Sequence, residues 1–209
     1  IREAGIILDK EERKASIVEQ VKQAAALVGG EAIIDEGLLN EVTNLIEMPT
    51  AVMGGFENEY LSLPQDVLIS VMKKHQRYFP VQKKGKLLAH FIAIRNGDDL
   101  NIDIVREGNE HVLGARFADA DFFVREDIKL KLEEYRPKLS TLTFHTRLGS
   151  MLDKSERIGK LVNELIPMLK LENDEAIFAR RAAHLAKTDL VTQMVTEMTS
   201  LPHSARLLD

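Results

Sequence analysis

A mixed α+β module followed by an all-helical region is the fold class this sequence predicts. Apolar residues recur at helical spacing along most of the chain, and one stretch, 77–95, alternates with period two around Lys83-Lys84-Gly85-Lys86. Beyond about residue 150 no alternation returns, and the composition shifts near 137–150. We therefore expect a mixed module over 1–140 and a helical domain over 141–209, since 209 residues suffice for one large or two small domains.

The elements follow from spacing and punctuation. Over Glu11–Val28, the residues Ile17, Val21, Ala24, Ala25 and Val28 mark one helical face, closed by Gly29-Gly30. Leu38, Leu39, Val42, Leu45 and Ile46 give a second helix over Gly37–Glu47, stopped before Pro49. Thr50–Phe56 is strand-like. Pro64 opens a third helix, where its missing N–H costs little, and Val67, Leu68, Val71 and Met72 share its inner face. Arg77–Gln82 and Leu87–Arg95 form a hairpin with glycine at the turn. In the second strand Phe91, Ala93 and Arg95 alternate with Ile92 and Ile94, which predicts burial on both faces. Asn96-Gly97-Asp98 ends it. A long helix runs from about Asp103 to Arg136 on the stripe Leu113, Phe117, Ala120, Val124, Ile128, Leu132 and Tyr135, and Pro137 terminates it. Ser140–Thr146 is extended, and two helices, Lys154–Leu171 and Asp174–Met198, follow. Gly29-Gly30, Gly54-Gly55 and Asn96-Gly97 match neither a Walker loop nor a dinucleotide fingerprint and read as turns.

Composition excludes several chemistries. With no Cys there is no thiol nucleophile, disulfide, Cys-ligated zinc or iron–sulfur cluster. No stretch approaches the roughly 20 apolar residues of a membrane span, and no basic-then-apolar leader is visible. An apolar share of 44%, evenly spread, argues against disorder and for a soluble globular chain. The opening residue is Ile1 rather than Met, so the chain reads as part of a longer protein.

The net charge of −5 conceals an uneven distribution. Residues 1–72 carry 5 basic and 13 acidic groups, whereas residues 73–96 carry 7 basic and no acidic ones. Those cations are Lys73, Lys74, Arg77, Lys83, Lys84, Lys86 and Arg95, interleaved with Tyr78, Phe79 and Phe91. Basic groups beside aromatics suit a polyanion with stackable bases. The alternative is a solvated hairpin whose lysines keep its edge from pairing with other chains.

The residues bear on two catalytic readings. A His…His-Asp…Asp metal phosphohydrolase would suit the helical part, and His145, His184 and Asp189 are present. That chemistry needs adjacent metal ligands to activate water, yet none of the six histidines is followed by Asp. Where the pair would fall the chain reads Ala186-Lys187-Thr188-Asp189, and a lysine there repels a metal. Along the long helix, Glu107, Glu110, Asp119 and Asp121 accompany Asn109 and Arg116, but no nucleophile joins them, and charge pairs such as Arg116 and Asp119 usually brace a helix.

Three runs then stand out together: Lys74-His75-Gln76-Arg77-Tyr78-Phe79-Pro80-Val81, Phe91-Ile92-Ala93-Ile94-Arg95-Asn96-Gly97, and the sixteen residues from Gly108 to Phe123. With Glu47-Met48-Pro49, Leu63-Pro64, Phe144, Leu148-Gly149-Ser150, Lys154, Arg157 and the run from Ala186 to Glu197, they resemble, in order over roughly residues 2–198, the beta subunit of bacterial α/β-type class II glycyl-tRNA synthetases. The closing run 201–209 departs from the Leu-Gln-Gly continuation of that family. The resemblance implies a central piece of the subunit, a mixed module followed by an HD-like helical domain without metal ligands. It implies an alpha-subunit partner that holds ATP, magnesium and glycine, and a cytoplasmic enzyme that charges tRNA. No cofactor, catalytic residue, DNA or membrane contact is expected of this piece. It also gives the basic segment a role, with Lys73, Lys74, Arg77, Lys83, Lys84 and Lys86 meeting tRNA phosphates while Tyr78 or Phe79 packs below them or stacks on a base. Asn109, Glu110, Arg116, Asp119 and Phe123 are read as packing residues. The rival readings are an HD-like nucleotide phosphohydrolase and an assembly scaffold without RNA contact.

Overall fold

The computed structural model describes residues 5–197. Met198 and the divergent run 201–209 lie outside the described residues. The chain forms two compact units, one ending at Asp121 and one beginning at Phe122. This division falls inside the long helix, upstream of the composition shift near 137–150.

The first unit is α+β. Helix α1 (Lys10–Leu27) starts where the Asp9 carboxylate accepts the Glu12 N–H, and α2 (Glu36–Leu45) where Asp35 accepts the Leu38 N–H. Between and after them run β1 (Glu31–Ala32), β2 (Pro49–Gly55), β3 (Phe79–Lys83) and β4 (Lys86–Asn96), an antiparallel sheet in the order β1-β3-β4-β2. One face of the sheet packs on α1 and α2 through Ile17, Val21, Ala25, Leu38, Leu39, Val42 and Ile46 against Phe79, Val81 and Ile92. Phe91 and Ile92, which point to opposite faces, are both fully buried, and Ala93 nearly so. The expected double-sided burial of β4 is observed.

The second face is covered by residues of α3 (Gln65–Ser70), the π turn Val71–His75 that continues it, and α4 (Ile102–Asp127). Val67, Val71, Met72, Leu113 and Phe117 are buried there. Tyr78 stacks on Phe91 at 4.6 Å between centroids, and Phe117 meets the Phe56 ring edge-on at 4.8 Å. β2 is an edge strand, and its exposed backbone is closed by Gln20 of α1, which donates to the Pro49 carbonyl and accepts the Ala51 N–H, both at 2.9 Å.

Gly54-Gly55 is not a turn. Both residues lie in β2, and Gly54 sits directly across from Phe91. The ring occupies the space a side chain would fill, since a Cβ on Gly54 would lie 2.3 Å from its Cζ. The two glycines therefore mark a close approach within the sheet.

The second unit is helical with one small ribbon. After the end of α4 come α5 (Leu132–Tyr135), a 3₁₀ turn (Arg136–Thr141), the paired strands β5 (Thr143–His145) and β6 (Gly149–Ser150), α6 (Met151–Met168), α7 (Asn173–Leu185), a second 3₁₀ turn (Thr188–Val191) and α8 (Gln193–Glu197). The long helix ends at Asp127 rather than at Arg136. Its apolar spacing continues, but Ile128 is exposed, and the Asp127 carboxylate is used to accept the Gln193 and Met194 N–H groups at 2.8 Å each. The helix predicted over Asp174–Met198 also divides, because Lys187 adopts the left-handed conformation at φ 73° and turns the chain after α7. The extended chain expected over Ser140–Thr146 includes β5, and its pairing with β6 is set by contacts the spacing does not show.

A Gly54→Ala substitution should destabilise the first unit by about 1–3 kcal/mol, because the fully buried Phe91 ring, stacked on Tyr78, already occupies the space the methyl would take. Urea denaturation followed by circular dichroism measures it.

Candidate nucleic-acid interface

The β3–β4 hairpin ends in a two-residue turn at Lys84 and Gly85, with φ of 50° and 77°. Positive φ at both central positions is the turn geometry that matches the twist of paired strands. It leaves Lys83 and Lys86 directly opposite each other, with Lys84 at the tip and all three exposed. Like charges across a strand pair repel, and among the described residues no carboxylate pairs with any of the three. Lys83 extends toward the Gly29 corner after α1, where its Nζ lies 3.4 Å from the position of a Cβ on that glycine.

The remaining predicted residues occupy a different setting. Lys73 lies in the π turn and pairs with Asp35 at 3.0 Å. The Leu38 N–H and then Lys73 hold the Asp35 carboxyl below the usual carboxylate range. Arg77, left-handed at φ 59°, donates from Nε to Glu41 of α2. Lys74 is exposed on the same turn. Tyr78 and Phe79 are both buried, at 8% and 0% exposure, Tyr78 stacked on Phe91 and Phe79 in the core against α1 and α2, so neither offers a ring face to a base. Burial raises the Tyr78 phenol above its ordinary value. Burial, then the nearby Arg116, lowers the His75 imidazole, so it is neutral at pH 7 and adds nothing to the basic surface. Arg95 is anchored, donating to the Leu100 carbonyl at 2.6 Å with Asp98 at 3.5 Å.

Many of the recognisable motif residues prove architectural. The Asn96 carboxamide oxygen accepts the Glu47 and Met48 N–H groups, and the Thr50 hydroxyl donates to the Gly97 carbonyl at 2.6 Å, which ties Glu47-Met48-Pro49 to the end of β4. Glu110 of α4 accepts the Gly55 N–H at 2.8 Å, beside an acidic groove of about 630 Å³ lined by Glu57, Glu107 and His111. In the second unit, the Asp153 carboxylate accepts from the Ser150 N–H and hydroxyl, capping α6. Gly149, at φ 82°, is required there, because a Cβ would fall 2.3 Å from that carboxylate. Arg157 donates to the Leu148 carbonyl, and the Lys154 ammonium lies 3.9 Å from the Phe144 ring centre.

Among the described residues no three His, Asp or Glu are placed to hold a metal ion. No described helix is long and apolar enough to cross a membrane. A second cationic cluster, missed in the sequence, lies in the second unit on Arg136, Lys160, Arg180 and Arg181. The paired Arg180-Arg181 was its only linear signal, hidden because residues 138–209 are nearly balanced in charge.

Comparison with known proteins places these features in a family. The profile of the glycyl-tRNA synthetase beta subunit matches residues 1–202, and this chain belongs to that family. It is 52% identical over 196 residues to a glycine–tRNA ligase beta subunit of Clostridioides difficile, covering 94% of this chain and 28% of the relative. It is 48% identical over 203 residues to that of Acaryochloris marina (96% and 28%), and 43% identical over 201 residues to that of Oceanobacillus iheyensis (96% and 29%). The chain thus spans less than a third of the length of these relatives.

Asp35→Ala should cost about 1 kcal/mol, chiefly through the lost cap of α2 rather than the partly exposed ion pair. Because the folded carboxyl is held below its ordinary value of about 3.9, its contribution is complete above that pH and fades as pH falls through the folded value. Wild type should lose stability on that acid limb, and the variant should lose less; urea titrations at pH 7 and pH 3 test both.

Proposed function

We propose that this chain is the tRNA-handling part of a glycine–tRNA ligase beta subunit and carries no reaction centre of its own. The observation behind this reading is the hairpin tip. Three exposed lysines stand together without a pairing carboxylate among the described residues, in a family whose relatives are named for a tRNA ligase. Lys83, Lys84 and Lys86 meet tRNA phosphates directly. Lys74 adds to them, and Lys73 and Arg77, oriented by Asp35 and Glu41, border the same surface. Tyr78 supports the hairpin from below. Such contacts supply affinity and position, not sequence choice. The chemistry, with ATP, magnesium and glycine, belongs to a partner alpha subunit in the cytoplasm. An HD-like phosphohydrolase reading finds no ligand cluster to rest on among the described residues, and a pure scaffold would use the lysine tip only to keep the hairpin edge from pairing with other chains.

The test is a salt titration of glycine tRNA binding to the full-length subunit assembled with its partner. Each phosphate contact contributes roughly 0.7–0.9 to the log–log slope. Replacing Lys83, Lys84 and Lys86 together by alanine should flatten that slope by about 2. An unchanged slope would move recognition elsewhere in the subunit and favour the scaffold.

A further inference from the structure

The second cationic cluster walls a cleft of about 640 Å³ in the helical unit. Arg136 comes from the first 3₁₀ turn, Lys160 from α6, and Arg180 and Arg181 from α7. Among the described residues, each guanidinium is held by the fold through one partner. Arg136 Nε donates to the His184 carbonyl at 3.0 Å, Arg180 Nε to the Asn163 carboxamide at 2.9 Å, and Arg181 Nη2 pairs with Glu133 at 2.7 Å. A guanidinium carries five N–H donors, so all three are oriented with donors left over. Four cations face two carboxylates, Glu133 and Glu156, in the same cleft.

An independent feature marks the same place. Ser155, in the cleft wall, is 1% exposed, and its hydroxyl has no hydrogen-bond partner among the described residues. Buried hydroxyls are ordinarily satisfied, and one left alone is costly. It lines the same cleft as the pre-oriented cationic donors, the combination that a multivalent oxyanion completes. Phosphate matches forked Arg donors in geometry as well as charge. A continuous nucleic-acid backbone fits less well, since it would run past Glu133 and Glu156, whereas a terminal phosphate needs only the donors.

We propose that the cleft formed by Arg136, Lys160, Arg180 and Arg181 around the Ser155 hydroxyl binds a small phosphorylated ligand, a nucleotide or inorganic pyrophosphate, through its terminal phosphate. This site is independent of the lysine hairpin and does not rest on tRNA binding.

Calorimetric titration of the full-length beta subunit, without its partner, with inorganic pyrophosphate and with ADP tests it. Saturable binding is expected with both. Arg180→Ala combined with Arg181→Ala should weaken it at least tenfold, and Lys160→Ala several-fold, with circular dichroism melts confirming that each variant folds. Ser155→Ala, which removes an unpaired hydroxyl, should keep the fold and still weaken binding. Replacing Lys83, Lys84 and Lys86 by alanine should leave it unchanged. Absence of saturable binding at millimolar pyrophosphate, or binding indifferent to Arg180 and Arg181, would overturn the proposal. So would a short RNA duplex binding through these arginines where pyrophosphate does not.

Discussion

Strand β4 has no solvent face along its middle, and the rest of the first unit is arranged around that fact. Phe91 and Ile92 point in opposite directions and both reach zero exposure. An antiparallel sheet usually leaves one side to water, so a strand of this kind obliges the chain to supply cover twice. Helices α1 and α2 do so on the Ile92 side. On the Phe91 side the space is so limited that the neighbouring strand must place glycine opposite the ring and Tyr78 must lie flat upon it. Burying each such side chain contributes about 1.5–3 kcal/mol to a sheet whose β1 edge is only two residues long.

The same packing sorts the charges. The acidic N-terminal segment and the basic stretch that follows the third helix meet in space, where Asp35 takes Lys73 and Glu41 takes Arg77. The cations nearest the core are thereby compensated, while the hairpin tip, beyond reach of α2, is not. Seven basic groups that look equivalent in the sequence divide into anchored ones and presented ones. Which is which depends on the partners that α2 and the 98–100 loop bring within reach and on the 84–85 turn, not on residue type.

The family's recognisable residues turn out to divide in the same way. Asn96, Glu110, Gly149, Ser150 and Arg157 close backbone ends, cap a helix or permit a close approach. Their pattern in the chain follows from backbone groups that need partners. The surfaces with unspent hydrogen-bonding capacity lie elsewhere, on the lysine tip and in the arginine cleft, and neither coincides with a dense motif.

Local pattern alone determined most of the elements here. The helices over 10–27 and 36–45, the hairpin, the double burial of β4 and the absence of a His-Asp metal pair were all legible, because periodicity and turn residues act within a few positions. Tertiary structure decided the rest. The apolar stripe through Ile128 and Leu132 could not show that Asp127 would stop the helix, since its partners, Gln193 and Met194, lie 66 and 67 residues away. Nor could Gly54-Gly55 be told from a turn until Phe91 was placed over it. The arginine cleft is the clearest case. It gathers residues 133 to 184 from four helical segments, and its opposite charges cancel in any linear count. Only folding brings these donors to their partners, the His184 carbonyl, the Asn163 carboxamide and the Glu133 carboxylate, because a hydrogen bond is satisfied by proximity in space and not by order along the chain.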